Sequence, residues 1–282
     1  MPAIPKMLFS DFDGTIKPYK GPVAKADIEA FSRLGRLGSK RVVATGRSLA
    51  AFDRDWDRRM EMDYLIFSSG LGACLWGPDG AGELLFSHRF APDVCQKALE
   101  ACLALKRGFY AFRPPPECHL FVHQPPEGRP PTVGDARRLE LYRDYATFYQ
   151  GGPIGPRGQF LITAPAAEID EVKREFEELS PGLSLIYSTS PMGDASVWLE
   201  IFPPGVSKGS AAKWLADKLS FQAADCLAIG NDFNDLDLLA WAGTAYLTAD
   251  ASPALRSLYP ALPASTQAPL ASLVSRLIGP AS

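Results

Sequence analysis

Two aspartates separated by one residue follow a short apolar run near the start of the chain. Residues 7–9 predict a buried strand, and Asp11 and Asp13 lie where that strand should end. In open α/β sheets, ligands bind beyond the carboxyl ends of the strands, so both carboxylates would project into a crevice. Carboxylates this close repel each other unless a cation or a shared proton relieves them. One could attack as a nucleophile while the other transfers protons; the alternative is an ordinary Asx-rich turn.

Two later groups could bind a phosphate at the same edge of the sheet. Thr45 follows the apolar run at 41–44 and precedes a predicted helix, whose free N–H groups at the N-terminus favour anions. Read alone, Thr45 and Ser48 are more typical of helix caps. Lys208 lies in the first turn of another predicted helix, where a cation opposes the helix dipole unless an anion compensates. That placement favours a functional lysine.

A second acidic cluster follows the strand predicted at 226–229. Asn231, Asp232 and Asp235 lie on the turn after this strand, ahead of a leucine-rich helix. Mg²⁺ takes about six oxygens, usually from one or two carboxylates together with waters and substrate phosphate. The cluster therefore predicts a hard-cation site, although a helix N-cap with an acid in the first turn satisfies the same pattern.

The elements that must position these residues form an α/β pattern. From residue 7 to residue 70, strand, helix, strand, helix and strand follow one another, which predicts a parallel sheet. The parallel pattern is predicted to resume at 197–201 and to continue through 226–229. The candidate residues thus fall at the ends of four strands. Together they offer a nucleophile, an acid/base, a phosphate-binding hydroxyl, a neutralising lysine and ligands for Mg²⁺, a set that suits phosphoryl transfer.

The middle of the chain has a different pattern, which predicts an α+β insert with a half-exposed sheet. Extended runs alternate with helical stretches near 92–106, 135–148 and 166–179. The predicted division of the chain is a core at 1–83, an insert at 84–190 and the rest of the core at 191–282. Hinges are expected near 83–86 and 191–196, the second because Gly193 can absorb a change in backbone angles.

Composition indicates a globular protein without a nucleic-acid or membrane partner. The 282 residues are 46% hydrophobic and 22% charged, and the net charge of −3 leaves no electrostatic footprint for nucleic acid or an anionic membrane. The five cysteines have no C-x-x-C spacing, and no apolar run approaches the length of a membrane span. The N-terminal residues lack the apolar core of a signal peptide. The expected location is the cytoplasm.

With these motifs in order, the sequence resembles the haloacid dehalogenase-like (HAD) superfamily of phosphatases. The matching segments, which span almost the whole chain, are residues 11–15, 45–48, 205–209 and 230–235. The insert resembles the C2-type cap of the Cof-like phosphatases, subclass IIB, an arrangement shared by sugar-phosphate phosphatases and phosphomannomutases. The resemblance implies a Rossmann-like parallel sheet core with an inserted α+β cap domain.

The resemblance also implies roles for single residues. Asp11 would attack phosphorus to form an aspartyl-phosphate, and Asp13 would protonate the leaving oxygen and then activate water. Thr45 and Lys208 would hold the phosphoryl oxygens. Mg²⁺ would be bound by the Asp11 carboxylate and the Asp13 backbone carbonyl, with a further set of groups from Asn231, Asp232 and Asp235. Substrate-binding positions implied by the same motifs are Gly14, Thr15, Gly46 and Arg47.

The sequence departs from the family pattern at two places. Relatives more often have Gly-Asp-x-x-Asn-Asp, whereas here Asn231 stands at the first Asp and an acid follows one place later. Asp232 is the favoured metal ligand, with the amide oxygen of Asn231 as the alternative. Relatives also often carry Asn-Gly-Ala where this chain has Ser-Ser-Gly-Leu-Gly at 68–72, which affects one substrate contact.

The leading functional hypothesis is a Mg²⁺-dependent phosphoric monoester hydrolase acting on a small phosphorylated metabolite such as a sugar or polyol phosphate. The acid at Asp13 favours a phosphatase over a dehalogenase, whose leaving halide needs no proton. A phosphosugar mutase, in which the nucleophile returns its phosphoryl group to sugar, is the enzymatic alternative. A binding protein on the same scaffold is the non-catalytic one. No feature of the sequence indicates an oligomeric state.

Overall fold

The computed structural model describes residues 4–190 and 196–279. Its contacts divide the chain into two compact units. The core unit combines Met1–Phe86 with Ser207–Ser282, and the insert unit is Ser87–Val206. The first boundary lies close to the one predicted at residue 83. The second lies later than residue 190, because the strand that follows belongs to the insert unit.

The described residues form fourteen strands and eight α-helices. In chain order the strands are β1 (Met7–Ser10), β2 (Lys40–Ala44), β3 (Tyr64–Phe67), β4 (Gly72–Gly77), β5 (Gly80–Ser87), β6 (Phe109–Phe112), β7 (Phe121–Gln124), β8 (Ala146–Phe148), β9 (Gln159–Pro165), β10 (Ser184–Thr189), β11 (Ser196–Phe202), β12 (Cys226–Gly230), β13 (Thr244–Thr248) and β14 (Ala261–Leu262). The helices are α1 (Lys25–Arg36), α2 (Leu49–Asp55), α3 (Pro92–Leu105), α4 (Val133–Leu141), α5 (Ile169–Leu179), α6 (Lys208–Lys218), α7 (Leu236–Trp241) and α8 (Pro269–Ile278).

The core unit is built on an eight-stranded sheet in the order β14-β13-β12-β1-β2-β3-β4-β5. From β14 to β3 every neighbouring pair is parallel, and β4 returns antiparallel to β3. All four residues of β1 are buried, as expected for a parallel strand covered on both faces. This sheet confirms the predicted α/β fold with a parallel core.

The parallel arrangement brings the candidate residues to one edge of the core sheet. β1 lies between β2 and β12, and all three run in the same direction. The segments that follow them therefore leave the sheet at the same edge, where ligands bind in open α/β sheets. Helix α6 packs against α7 and against the turn that follows β3, which places its first residue, Lys208, near that edge.

The insert unit contains its own six-stranded sheet in the order β10-β11-β9-β6-β7-β8. Neighbouring strands are antiparallel, except that β8 runs parallel to β7. Apolar side chains of α3 and α5, including Leu99 and Phe176, pack on one face with Phe109 and Phe160. The other face carries a smaller cluster centred on Tyr110, against which Leu139 and Tyr142 pack. This is an α+β arrangement.

Two predicted elements are wrong in this unit. Residues 197–201 were expected to resume the parallel sheet, but β11 runs antiparallel between β9 and β10. Both faces of the insert sheet are covered, so Leu199–Phe202 are buried. This gives the strand the continuous apolar run that is typical of a parallel strand. The helix predicted at 135–148 ends at Leu141, and its last residues form β8.

The predicted hinges fall partly outside what the structure describes. Residues 83–86 lie within strand β5. Of the second segment, 191–195 lie outside the described residues, so the prediction for Gly193 stays a prediction. Across 4–190 and 196–279, no helix has the length and apolar character needed to cross a membrane.

Candidate active site

Asp11 lies directly after β1, at the carboxyl edge of the core sheet. Its backbone N–H donates to the carbonyl oxygen of Ile229 at 2.9 Å, which continues the β1–β12 ladder by one residue. The next side chain, Phe12, is fully buried against Phe52 and Trp56. Because Phe12 is anchored in this aromatic cluster, the flanking Asp11 and Asp13 side chains are held at the sheet edge. Asp11 itself is only 5% exposed.

Lys208 links the two acidic motifs. Its ammonium donates to Asp11 Oδ1 at 2.6 Å and to Asp235 Oδ1 at 2.6 Å, with a longer bond of 3.3 Å to Asn234 Oδ1. The side chain is fully buried. Burial alone would lower the pKa of Lys208, but the charges of Asp11 and Asp235 raise it above its ordinary value. The two carboxylates therefore favour the charged form of the lysine and compensate for its place in the first turn of α6.

The ionised form of the Asp11 carboxyl group is disfavoured in this setting. Burial, together with the negative charge of Asp235, raises the pKa of Asp11 to about 7 although Lys208 opposes the shift. A carboxylate that is costly to keep ionised without a further cation is reactive toward an electrophile and attracts a metal ion.

Asp235 is fully engaged by the protein. While Oδ1 accepts from Lys208, Oδ2 accepts the backbone N–H groups of Asn231 at 2.8 Å and Asp232 at 3.0 Å. A Cβ on Gly230 would lie 2.6 Å from the Asp235 carboxyl carbon, so this turn needs glycine there. Both oxygens of Asp235 therefore orient Lys208 and the turn after β12.

Three oxygen-bearing groups converge at the sheet edge: the Asp11 carboxylate, the Asp13 backbone carbonyl and the Asn231 amide. The amide atom of Asn231 that faces this point lies 3.2 Å from Asp11 Oδ2 and 3.0 Å from the Asp13 carbonyl oxygen. Adjacent oxygens around an octahedral Mg²⁺, with bonds of about 2.1 Å, are about 3 Å apart. The spacing suits such an ion if the amide presents its oxygen. No three His, Cys, Asp or Glu side chains are grouped to bind a metal in the described residues, so a site here depends on one carboxylate, one backbone carbonyl and one amide.

Asp232 faces its own turn instead. Its Oδ1 accepts the backbone N–H of Phe233 at 2.8 Å and caps the 3₁₀ turn Phe233–Asp235. Of the two metal ligands that the sequence left open, Asn231 is the one that the structure brings against Asp11.

Asp13 is paired with Arg47. The guanidinium donates to both Asp13 oxygens at 2.7 Å, in the two-bond geometry that arginine and carboxylate favour. Arg47 also lies over the Phe12 ring and donates through Nη1 to Asp55. Although predicted as a substrate-binding residue, Arg47 here contacts Asp13. With 30% of its side chain exposed, Asp13 remains open to a ligand.

The other predicted binding residues divide into two groups. Thr45 is buried at the end of β2, and its hydroxyl accepts the backbone N–H of Arg47 at 3.1 Å, while Gly46 is exposed. Thr15 is fully buried and its hydroxyl donates to Asn231 Oδ1 at 3.3 Å. Gly14 has φ +73°, and a Cβ there would lie 2.7 Å from the Tyr19 hydroxyl. Thr15 and Gly14 thus shape the Asn231 environment.

Sequence reasoning did not single out two residues of this site. Asn234 lies inside a quoted motif, and its contact with Lys208 could have been suspected from that position. The hydroxyl of Tyr19 lies 3.0 Å from the Asn231 amide nitrogen. No motif or spacing marked Tyr19, because it reaches the site through the fold of the loop after Gly14.

Comparison with known proteins gives a consistent picture. A family model described as haloacid dehalogenase-like hydrolase matches residues 8–265. A protein named HMP-PP phosphatase from Cronobacter sakazakii is 25% identical over 254 residues, which are 90% of this chain and 87% of that protein. One of the same name from Yersinia pseudotuberculosis is 23% identical over 253 residues, 89% of this chain and 86% of its own.

Solved structures share the fold of the whole chain. The phosphatase BT1666 from Bacteroides thetaiotaomicron has a TM-score of 0.74 at 18% identity, covering 96% of this chain and 94% of its own. The HAD subclass IIB sugar phosphatase BT4131 has a TM-score of 0.73 at 14% identity, covering 96% of this chain and 98% of its own.

Proposed function

The chain belongs to the haloacid dehalogenase-like hydrolase family, and on that premise we propose that this phosphatase hydrolyses a small phosphorylated metabolite with Mg²⁺, through a phosphoryl group carried on Asp11. One observation carries the proposal. The Asp11 carboxylate lies between the buried Lys208 ammonium on one oxygen and the Asp13 carbonyl and Asn231 amide on the other. A nucleophilic carboxylate next to a fixed cation and a cation-sized group of oxygens is what phosphoryl transfer requires.

Asp11 would attack phosphorus as the bond from phosphorus to the leaving oxygen breaks. Lys208 would neutralise negative charge on the phosphoryl oxygens, and the Thr45 hydroxyl would donate to one of them. When bound there, Mg²⁺ would supply positive charge that offsets the negative charge of the phosphoryl group. The residues that would hold the ion are Asp11, the Asp13 carbonyl and Asn231.

Asp13 would give its proton to the leaving oxygen in the first step. In the second step it would take a proton from the water that attacks the aspartyl-phosphate, which restores the Asp11 carboxylate. Asp13 must release one oxygen from Arg47 for this purpose. Arg47 keeps its place meanwhile, because its Nη1 group is held by Asp55 and by the carbonyl oxygen of Ala51.

The substrate proposal follows the relatives. Two proteins aligned over most of the chain are named HMP-PP phosphatase, and a structural neighbour is a sugar phosphatase. HMP-PP and hexose phosphates are therefore the compounds to test first.

The proposal is tested by measuring phosphate release from HMP-PP, hexose phosphates and acetyl phosphate by the purified protein with Mg²⁺. Asp11→Asn should reduce turnover by at least about a thousandfold, because a neutral amide cannot replace the nucleophile. Asp217→Asn, which changes an exposed acid in the same unit, is the matched control and should retain the parent rate. No release from any of these compounds, or an active Asp11→Asn, would contradict the proposal.

A further inference from the structure

Lys208 lies between two residues whose backbones are in close contact with other elements. Ser207 precedes it and packs against the turn after β3, where a Cβ on Gly70 would overlap the Ser207 carbonyl oxygen. Gly209 follows it and donates its backbone N–H to Asp237 Oδ2 at 2.8 Å. The start of α6 is therefore held on both sides of the lysine, by the turn after β3 and by α7.

The contact between Gly209 and Asp237 requires the two helices to approach closely. A Cβ on Gly209 would lie 2.7 Å from Asp237 Oδ2 and 2.8 Å from the Asp237 carbonyl oxygen. Both distances are shorter than a carbon and an oxygen tolerate, so a side chain at 209 would push α6 away from α7. Glycine at this position therefore allows the Asp237 carboxylate to reach the backbone of α6.

Asp237 also complements the electrostatics of the helix start. The first N–H groups of a helix have no acceptor within the helix. In α6 the Ser207 hydroxyl accepts the N–H of Ser210 at 3.1 Å, and Asp237 accepts that of Gly209. A carboxylate is favourable at a helix N-terminus, whereas the cation of Lys208 is unfavourable there. The charge of Asp237 therefore offsets part of the cost of placing a lysine in the first turn.

One short segment holds both ends of the lysine. Asp235 accepts the Lys208 ammonium at 2.6 Å, and two residues later Asp237 accepts the N–H of the residue that follows Lys208 in α6. In the proposed reaction Asp11, the other partner of the ammonium, becomes esterified to phosphorus and loses its full negative charge. The hold of segment 235–237 on the lysine would then matter most.

We propose that Asp237 is a positioning residue for Lys208, which fixes the first turn of α6 so that the ammonium stays within reach of the phosphoryl oxygens. The inference rests on the proposed function and adds a residue that lies two positions beyond the matching segment 230–235. Asp237 acts through α6 and is assigned no contact with the substrate. Because the phosphoryl group is common to all candidate substrates, the loss of Asp237 should affect them equally.

The test compares the parent with Asp237→Ala and Asp237→Asn in steady-state kinetics. Asp237→Ala should lower kcat/KM about tenfold, by the same factor for HMP-PP, hexose phosphates and acetyl phosphate, because a misplaced ammonium stabilises the transition state less well. Competitive inhibition by inorganic phosphate should weaken by about fivefold as well. Asp237→Asn keeps an acceptor oxygen and should retain at least about half of the parent kcat/KM. Asp237 is exposed, so both variants should fold.

Asp27→Ala is the matched control, because it removes a bond of the same kind, from Asp27 in α1 to the backbone N–H of Ala271 in the first turn of α8. It should lower the melting temperature and leave kcat/KM and phosphate inhibition of the folded protein unchanged. Parent-level kinetics in Asp237→Ala, an equal loss in Asp237→Asn, or a different factor for each compound would overturn the inference and leave the proposed function intact. A parent that releases phosphate from none of these compounds would overturn both.

Discussion

At the scale of single residues, the site is a balance of buried charges. Lys208 has no exposed surface and pairs with Asp11 and Asp235. A buried charge costs several kcal/mol unless it is paired and hydrogen-bonded, and here one cation serves two carboxylates. Because one negative charge remains uncompensated, a metal ion beside Asp11 would stabilise its carboxylate. The same electrostatics prepares the site for an incoming phosphoryl group, which needs cations around it.

The contact between Arg47 and Asp13 leads to a prediction about leaving groups. Arg47→Lys removes the two parallel bonds to Asp13, since lysine has no planar fork. Without these bonds the Asp13 carboxyl group is less well oriented. If Asp13 protonates the leaving oxygen, the variant should therefore hydrolyse a sugar phosphate about tenfold more slowly. Hydrolysis of acetyl phosphate, whose leaving group needs little protonation, should fall less than about threefold. Steady-state kinetics with both compounds measures the difference.

The control for this prediction is Arg54→Lys, which changes an exposed arginine paired with Asp55. It should leave both rates at the parent level. If Arg47→Lys slowed the hydrolysis of both compounds equally, Arg47 would act on the phosphoryl group itself, which is the substrate-binding role that the resemblance implied.

At the scale of elements, the turn after β3 is fitted closely to the start of α6. Gly70 has φ +97°, and a Cβ there would overlap the carbonyl oxygen of Ser207, the residue before Lys208. Gly70→Ala should therefore combine backbone strain with a steric clash. The expected loss in the free energy of unfolding is about 2 kcal/mol beyond that of strain alone. Turnover should fall as well, because the clash displaces Lys208.

Gly38→Ala isolates the strain. Gly38 has φ +90° and no atom within 4 Å of an added Cβ, so it shares the backbone conformation without the clash. Urea unfolding of both variants gives the comparison. Equal losses in the two would show that the turn yields to the added methyl group.

A second prediction at this scale concerns helix α8. Asp27, fully buried in the first turn of α1, accepts the backbone N–H of Ala271 at 2.9 Å and so satisfies the N-terminus of α8. Burial raises the pKa of Asp27 to about 6 although this hydrogen bond and one from Leu270 oppose the shift. The folded state therefore binds more protons than the unfolded state between about pH 4 and pH 6.

The direction of the pH dependence follows from this difference in bound protons between the folded and unfolded states. The contribution of Asp27 to stability is greatest below about pH 4 and is lost as the pH rises through about 6. Asp27→Asn keeps an acceptor for Ala271 and cannot ionise. Measured by urea unfolding, the stability of the parent relative to this variant should fall between pH 4 and pH 7, on the order of 2 kcal/mol. A constant difference across that range would contradict the raised pKa.

How far the sequence predicts this protein also differs between elements. Strands β1, β2 and β12 could be predicted because they are short, continuous apolar runs that end in polar residues. The strand at 197–201 was placed in the wrong sheet, because burial on both faces makes an antiparallel strand look parallel. The site motifs were found because they lie next to strand ends, whereas Tyr19 depends on how its loop folds back. Only the structure shows that Asn231 faces Asp11 whereas Asp232 caps its own turn.

At the scale of the whole molecule, the chain contains a core unit that holds every candidate catalytic residue and an insert unit that holds none. Binding energy from remote parts of a substrate can be used to accelerate reaction at phosphorus. The insert is therefore proposed to act as a cap that determines which phosphorylated compound is accepted. The buried charges of the core unit, by contrast, are proposed to act only on the phosphoryl group.

This division predicts a difference between two kinds of insert variant. Replacing Arg113, His119 or His123 with alanine should change the ratio of kcat/KM values among sugar phosphates and HMP-PP more than it changes hydrolysis of acetyl phosphate. Arg174→Ala, on the exposed side of α5, is the control and should leave the ratios unchanged. If every variant changed kcat/KM for all compounds by one common factor, specificity would lie in the core loops instead.

The most direct test of the account is to locate the phosphoryl group on the protein. Asp13→Asn should still react with acetyl phosphate, whose leaving group needs little protonation, but should hydrolyse the aspartyl-phosphate slowly because water is not activated. After an acid quench and digestion, mass spectrometry should find one phosphoryl group on the peptide that contains Asp11. The label should be absent when Asp11→Asn is combined with Asp13→Asn. A phosphoryl group on any other residue, or turnover of acetyl phosphate with no labelled peptide, would contradict the claim that Asp11 is the nucleophile.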